Sequence, residues 1–241
     1  MSTILCDFLR FTYFLRMFMI TPRLQCILNH VKGSVIADIG TDHAYIPIRL
    51  IEENRAKKVI ASDIRQGPVE IAKNNIKKHN MQDKIEVRRG AGYSILSPFE
   101  ADCIITAGMG GKLISEIIED NKEIAKNAYL VLQPMNYQYE LRKYLIKNGF
   151  TIVEEDISIE GFKVYNLLCV KSGIMKPFEN EIDYHIPPYL KNHKYFKNLY
   201  DKKFREFSKI TDGIENSKEK DVEKLEKYKF LLKELRKYES L

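Results

Sequence analysis

The 241-residue chain has few cysteines: Cys6, Cys26, Cys103 and Cys169, no two of them in a Cys-x-x-Cys pair. That spacing argues against zinc ribbons and dithiol redox motifs, so no metal is expected, and it fits a reduced, cytoplasmic setting. Long uncharged apolar runs are missing as well. The opening stretch MSTILCDFLRFTYFLRMFMI is broken by Asp7, Arg10 and Arg16, whereas a membrane-spanning helix needs about 20 apolar residues. No small-residue cleavage site follows, which argues against a signal peptide. Residues 1–20 are read as an N-terminal extension, with Met17 or Met19 as the expected true first residue. Charge of one sign is not concentrated either. Lys and Arg number 39 against 33 Asp and Glu, a net charge of +6, and the excess is divided evenly between residues 1–171 and 172–241. This permits a nucleic-acid partner without marking a basic arm.

From Pro22 onward the pattern is an alternation. PRLQCILNHV puts Leu24, Ile27, Leu28 and Val31 on one helical face. SVIADIG, KKVIASDI, KIEVRRG, ADCIITAG and AYLVLQP read as strands, apolar enough to be buried, and helical stretches lie between most of them. Such alternation predicts right-handed crossovers and a parallel, doubly wound α/β sheet. The rhythm then breaks. FTIVEEDISIE and FKVYNLLCV have only a short link containing Gly161 between them, so they should form an antiparallel hairpin at the end of the sheet. A Rossmann-like sheet ending in such a hairpin is the layout of S-adenosylmethionine-dependent methyltransferases. Residues 21–171 are therefore expected to form the methyltransferase domain. Residues 172–241 are expected to form a helical hairpin or coiled coil, with Leu199, Phe207, Ile210 and Val222, Leu225, Leu232, Leu235 at three-to-four spacing.

The first strand-to-helix turn carries the chemistry. Its sequence is DIGTDHAY, with one glycine where a dinucleotide site needs G-x-G-x-x-G to admit a diphosphate. Asp38, Asp42 and His43 crowd it, and carboxylates repel phosphate. They suit a ligand with a cationic sulfonium and an ammonium group, while the helix N-terminus receives a carboxylate. Asp63 ends the second strand, where an acid accepts ribose hydroxyls; its alternative is a helix cap. Gly90 and Gly92 flank Ala91 at the third strand's end, so backbone must meet an adenine ring there. TAGMGG follows the fourth strand, and its glycines let backbone approach both cofactor and target. No Asp-Pro-Pro-Tyr type sequence is present.

Together ADIGTDHAYIPI, ITAGMGG and LVLQP, with TPRLQCILNHV before them and GFKVYNLL after, resemble the bacterial tRNA (adenine-N1)-methyltransferases of the TrmK family. The likeness spans about residues 21–170, and the tail is similar to that family's C-terminal coiled coil. The resemblance implies methylation of N1 of adenine 22 in tRNA, with S-adenosylmethionine as donor and tRNA as partner; a monomer or weak dimer is expected. It implies a cofactor site lined by Asp38, Gly40, Asp63, Gly90, Gly108 and Met109, a catalytic acid at Asp42, and RNA contacts from Arg23 and Arg142; Ile64 and Ala91, beside these positions, are expected to join the cofactor site, and Lys112 the phosphate contacts. Ala91 stands where the family often has Asp, and Asn166 where it often has Glu. Asp42 would stabilise the positive charge that reaches the adenine ring, its alternative being a helix cap, and Tyr45, Tyr93 or Tyr137 would offer a stacking surface. Three other readings share the chain: a methyltransferase acting on a small molecule or protein, a non-catalytic RNA-binding relative, and an NAD-dependent oxidoreductase, which the missing glycines disfavour.

Overall fold

The computed structural model describes residues 20–239, so the expectations for residues 1–19 lie outside the described residues. The chain opens with helix α1, Pro22–His30, started by Pro22 and by Thr21, whose Oγ1 accepts from the Leu24 amide at 3.4 Å. Strand β1 (Val35–Ile39), helix α2 (Tyr45–Glu52), β2 (Lys58–Asp63), α3 (Gln66–Lys78) and β3 (Ile85–Arg89) follow. Then come β4 (Cys103–Met109), α4 (Gly111–Asp120), α5 (Lys122–Lys126), β5 (Tyr129–Pro134) and α6 (Gln138–Lys147). The sheet closes with β6 (Phe150–Glu160) and β7 (Lys163–Ser172), joined at Gly161, where φ is +59°.

Among the described residues, seven strands form one sheet in the order β3-β2-β1-β4-β5-β7-β6. The first five are parallel, and β7 runs antiparallel to both β5 and β6. The terminal hairpin read from the sequence is thus present. Strand order reverses between β1 and β4, and open α/β sheets bind ligands outside the carboxyl ends of strands at such a switch point. Helices cover both faces, which is why the central strands are apolar on both sides. One core cluster packs Ile27, Leu28, Ile36, Leu50, Val59 and Ile105 under α1, α2 and α3. The other packs Ile39, Ile60, Tyr93, Ile104, Ile114 and Leu132 under α4 and α6.

The tail has α7 (Glu181–His185), α8 (Phe196–Glu215) and α9 (Val222–Arg236). Helices α8 and α9 pack on each other, and a third cluster joins their Leu199, Phe207, Leu231 and Leu235 to Ile157 and Val164 of the β6–β7 hairpin. The apolar stripe of α9 is shifted from the one expected: Val222 is 64% exposed at the helix start, beside the capping Asp221, and Leu231 is buried instead. Among the described residues, no helix is long and apolar enough to cross a membrane.

One expectation fails here. Arg142, read as an RNA contact, is fully buried. Its guanidinium grips Glu155 of β6 through Nε at 2.9 Å and NH2 at 2.6 Å, and donates to the Tyr184 carbonyl at 2.8 Å. Tyr189 donates to the same carboxylate at 2.5 Å. Helix α6, β6 and the tail meet on this ion pair. A buried guanidinium must be paired, so its geometry is spent on structure and none of it reaches solvent.

Candidate functional site at the carboxyl edge of the sheet

The turn after β1 is pinned to its neighbour: the amides of Gly40 and Thr41 both donate to the Ser62 carbonyl, at 2.8 and 2.7 Å. Gly40 has φ +80°, and a Cβ there would lie 2.2 Å from Met109 Cε. The backbone conformation therefore calls for glycine, and the Met109 side chain from β4 fills the space that a Cβ would take. Asp38 sits behind this turn, buried and flanked in register by Ala61 and Ile105. Burial pushes its carboxyl up to about 6, although a hydrogen bond from the Thr41 side chain pulls the other way. A carboxylate held in apolar surroundings gains most from a cationic ligand.

Asp42 is open, its side chain 64% exposed, and its ion-pair neighbour is His43, Nε2 at 3.3 Å. The helix-cap alternative fails: Ala44 occupies the cap of α2 in a left-handed conformation, φ +57°, with no side-chain bond. His43 stacks on Tyr45, ring centroids 5.1 Å apart. At the end of β2, Asp63 is buried and its Oδ1 accepts the Arg65 amide at 2.8 Å. It is not the cap of α3, which is Arg65. The neighbouring Ser62 hydroxyl is buried and has no hydrogen-bond partner among the described residues. Ile64 stands 60% exposed beside it.

The third side is the turn Gly90–Gly92. The Gly90 amide donates to the Asp63 carbonyl at 3.2 Å, joining the two strand ends. Ala91 is exposed, and its carbonyl accepts from Ser94 Oγ at 2.6 Å. Asp102 does not stand in for the missing acid: it accepts the Ser34 and Val35 amides, at 2.7 and 2.9 Å, at the other end of β1. Tyr93 is core, fully buried with its hydroxyl 2.9 Å from Thr106 Oγ1, so it offers no stacking surface.

The fourth side contains a residue that the sequence reading passed over. Gln133 ends β5 buried, and its Oε1 accepts both the Gly108 amide at 3.2 Å and Arg23 NH1 at 3.0 Å. The signal was a polar residue inside the apolar run LVLQP. Gly108 has φ +76° and marks a register shift in β4. Gly111 packs so closely that a Cβ would lie 2.4 Å from the Tyr137 carbonyl oxygen. Two cations stand at the rim. Arg23 lies over the Tyr165 ring at 5.7 Å, and Lys112 over the half-exposed Tyr137 ring at 4.4 Å.

Four adjacent strand ends thus bring together Asp38, Gly40, Asp42, Asp63, Ile64, Gly90, Ala91, Gly108 and Met109. Arg23 and Lys112 border them; Arg142 does not. Two buried acids, a partnerless hydroxyl and close glycines fit a cationic nucleoside-bearing ligand and disfavour a diphosphate.

Comparison with known proteins agrees with this geometry. The methyltransferase-domain family matches residues 20–168. The tRNA (adenine(22)-N(1))-methyltransferase of Bacillus subtilis is 36% identical over 156 residues, 64% of this chain and 66% of that protein, just under two thirds of its length. The crystal structure of the B. subtilis m1A22 tRNA methyltransferase TrmK superposes with a TM-score of 0.82 at 28% identity, over 92% of this chain and 99% of that one. Streptococcus pneumoniae Sp1610, in complex with S-adenosyl-L-methionine, superposes with a TM-score of 0.77 at 32% identity, over 89% and 100%.

Proposed function

The chain belongs to the methyltransferase-domain family, among the bacterial tRNA (adenine-N1)-methyltransferases, and from that membership we propose that it methylates N1 of adenine 22 in tRNA. The observation that carries this reading is the pair of buried acids, Asp38 and Asp63, at neighbouring strand ends beside a turn with a single glycine.

S-adenosylmethionine, when bound, supplies a methyl group on a positively charged sulfur. Asp38 would hold the cationic amino-acid end and Asp63 the ribose hydroxyls. Ile64 would lie against the adenine of the cofactor, and the Gly90–Ala91 backbone would meet its edge. Gly108 and Met109 would form the wall towards the target base. Adenine N1 has an in-plane lone pair, so no nucleophilic side chain is needed. The protein contributes alignment, worth about 7–11 kcal/mol when donor and acceptor are held in line. Asp42, open at the turn, would accept from the target's amino group and stabilise the positive charge arriving on its ring. N1 is a pairing atom, so the base must leave its stack, which costs a few kcal/mol. Tyr137, fixed by a left-handed backbone at φ +53° and half exposed, offers a ring for it to lie on. Arg23 and Lys112 would meet phosphates, and this basic RNA footprint weakens with salt. A tRNA substrate puts the work in the cytoplasm.

Incubation with labelled S-adenosylmethionine and unmodified tRNA, followed by nucleoside mapping, tests the reading. Label in 1-methyladenosine at position 22 is expected. Label on another nucleotide, on protein or on a small molecule with tRNA left unmodified would overturn it.

A further inference from the structure

A second cluster of reactive side chains lies away from the carboxyl edge, where α1 crosses the β6–β7 hairpin. Cys26 and His30 are one helical turn apart on α1 and face the same way. Glu154 and Asp156 are two apart on β6 and share its other side, opposite Glu155. The Cys26 sulfur lies 3.4 Å from Asp156 Oδ2, His30 Nε2 lies 3.5 Å from that oxygen, and Glu154 Oε1 lies 3.4 Å from His30 Nε2. The ligand atoms of Cys26, His30 and Asp156 all lie within 4.8 Å of one another, as do those of His30, Glu154 and Cys169.

The protons in this cluster are assignable. His30 Nδ1 is 2.8 Å from the Cys26 carbonyl, which only accepts, so Nδ1 carries a hydrogen and Nε2 points at the acids. Asp156 Oδ1 is already engaged: it accepts from the Ile157 amide at 2.7 Å and from His193 Nε2 at 2.7 Å. His193 Nδ1 accepts the Tyr195 amide at 3.0 Å, so its Nε2 is the protonated nitrogen. Oδ2 therefore faces Cys26 and His30. The outer partners of His30 and Asp156 are those that orient metal ligands elsewhere, a carbonyl behind an imidazole and a donor behind a carboxylate.

The separations decide between two explanations. A charged imidazole donating directly to a carboxylate closes to about 2.7–2.9 Å. Ligands about 2.0–2.1 Å (nitrogen, oxygen) and about 2.3 Å (sulfur) from one tetrahedral ion stand roughly 3.3–3.6 Å apart. The His30–Asp156 separation, 3.5 Å, falls in the second range, and the 3.4 Å between the Cys26 sulfur and Asp156 Oδ2 suits a shared ion as readily as a thiol hydrogen bond. A thiolate, an imidazole and a carboxylate select a zinc-type cation over magnesium or calcium. Charge balances too, since one thiolate and one carboxylate neutralise a divalent ion.

We propose that Cys26, His30 and Asp156 form a three-ligand site for one divalent ion of the zinc class, with water in the fourth tetrahedral position, which clamps α1 to the hairpin and, through His193, to the tail. Binding deprotonates the Cys26 thiol and releases that proton to solvent. The expectation of a metal-free chain rested on Cys-x-x-Cys spacing; this cluster joins residues 130 apart in sequence. The site is separate from the methyl-transfer edge, so its test does not depend on activity. The full chain, stripped with chelator, is titrated with Co2+. One equivalent should give the intensified spectrum of tetrahedral Co2+ with a thiolate-to-cobalt charge-transfer band, and one equivalent of Zn2+ should bleach it. Cys26→Ser should remove the charge-transfer band. Asp156→Asn, which keeps the side-chain shape, should weaken Co2+ binding by more than about tenfold. No tetrahedral spectrum in the native chain, or a charge-transfer band that survives Cys26→Ser, would overturn the site.

Discussion

The carboxyl edge of the sheet and strand β6 both gather acids, and they treat them in opposite ways. At the edge, Asp38 is buried with no basic partner among the described residues, and Asp42 is open to solvent. On β6, Glu155 is gripped by Arg142 on one face, and Asp156 is hydrogen-bonded to His193 on the other. Burial without a partner raises the energy of a charge, so it persists where a ligand is to supply the partner. Burial with a partner makes the same side chain part of the frame. The contrast also tells the arginines apart: Arg23 shares Gln133 with the Gly108 amide and stays at the rim, while Arg142 is used up inside.

The largest expected effect falls on the paired region. Arg142→Met should cost about 3–5 kcal/mol of stability, because Glu155 is left buried with its charge met by the Tyr189 hydroxyl alone. Urea unfolding reads this directly, and the double variant with Glu155→Leu should regain much of it. A loss below 1 kcal/mol in the single variant would erase the distinction between the regions. Next comes the open acid. Asp42→Asn should lower turnover about 100- to 1,000-fold, as losing one charge-stabilising group does, and leave cofactor affinity by calorimetry unchanged. Unimpaired turnover would remove Asp42 from the chemistry.

The unpartnered buried acid gives a pH signature. The folded-state value of Asp38, about 6, stands above its ordinary 3.8, so its contribution to stability is complete below pH 4 and is lost as pH rises through 6. At 1.36 kcal/mol per unit the loss reaches about 3 kcal/mol at high pH. Cofactor-free Asp38→Asn should therefore gain on the wild type as pH goes from 4 to 8 in urea melts, while the wild type's cofactor affinity strengthens over the same interval. Parallel curves for the two proteins would mean that Asp38 is already compensated. The smallest effect is at the rim: Lys112→Gln should reduce the slope of log affinity for tRNA against log salt by about one, with turnover at saturation little changed. An unaltered slope would put that ammonium off the RNA path.

Much of this was legible in the sequence. Apolar runs between helical stretches gave the parallel strands, and the missing helix around Gly161 gave the antiparallel end. The lone Gly40 among acids gave the ligand's charge. Other features were hidden for identifiable reasons. Arg142 looked like a surface cation because its partner, Glu155, comes from another element. Gln133 looked like a strand residue until its oxygen was seen joining Arg23 to Gly108. Leu231 and Val222 exchanged roles because helix periodicity fixes a stripe only to within a residue or so until the partner surface is known. Asp63 and Asp42 fit helix caps by spacing, and backbone conformation assigned those caps elsewhere.

By itself, then, the sequence determined the class of fold and the sign of the charge its turn prefers, since periodicity and local composition act between near neighbours along the chain. Which cations face outward, which acids are paired, and how Cys26, His30 and Asp156 converge were decided only when the sheet brought distant segments together, because ion pairs and ligand clusters depend on distances in space that no local pattern encodes.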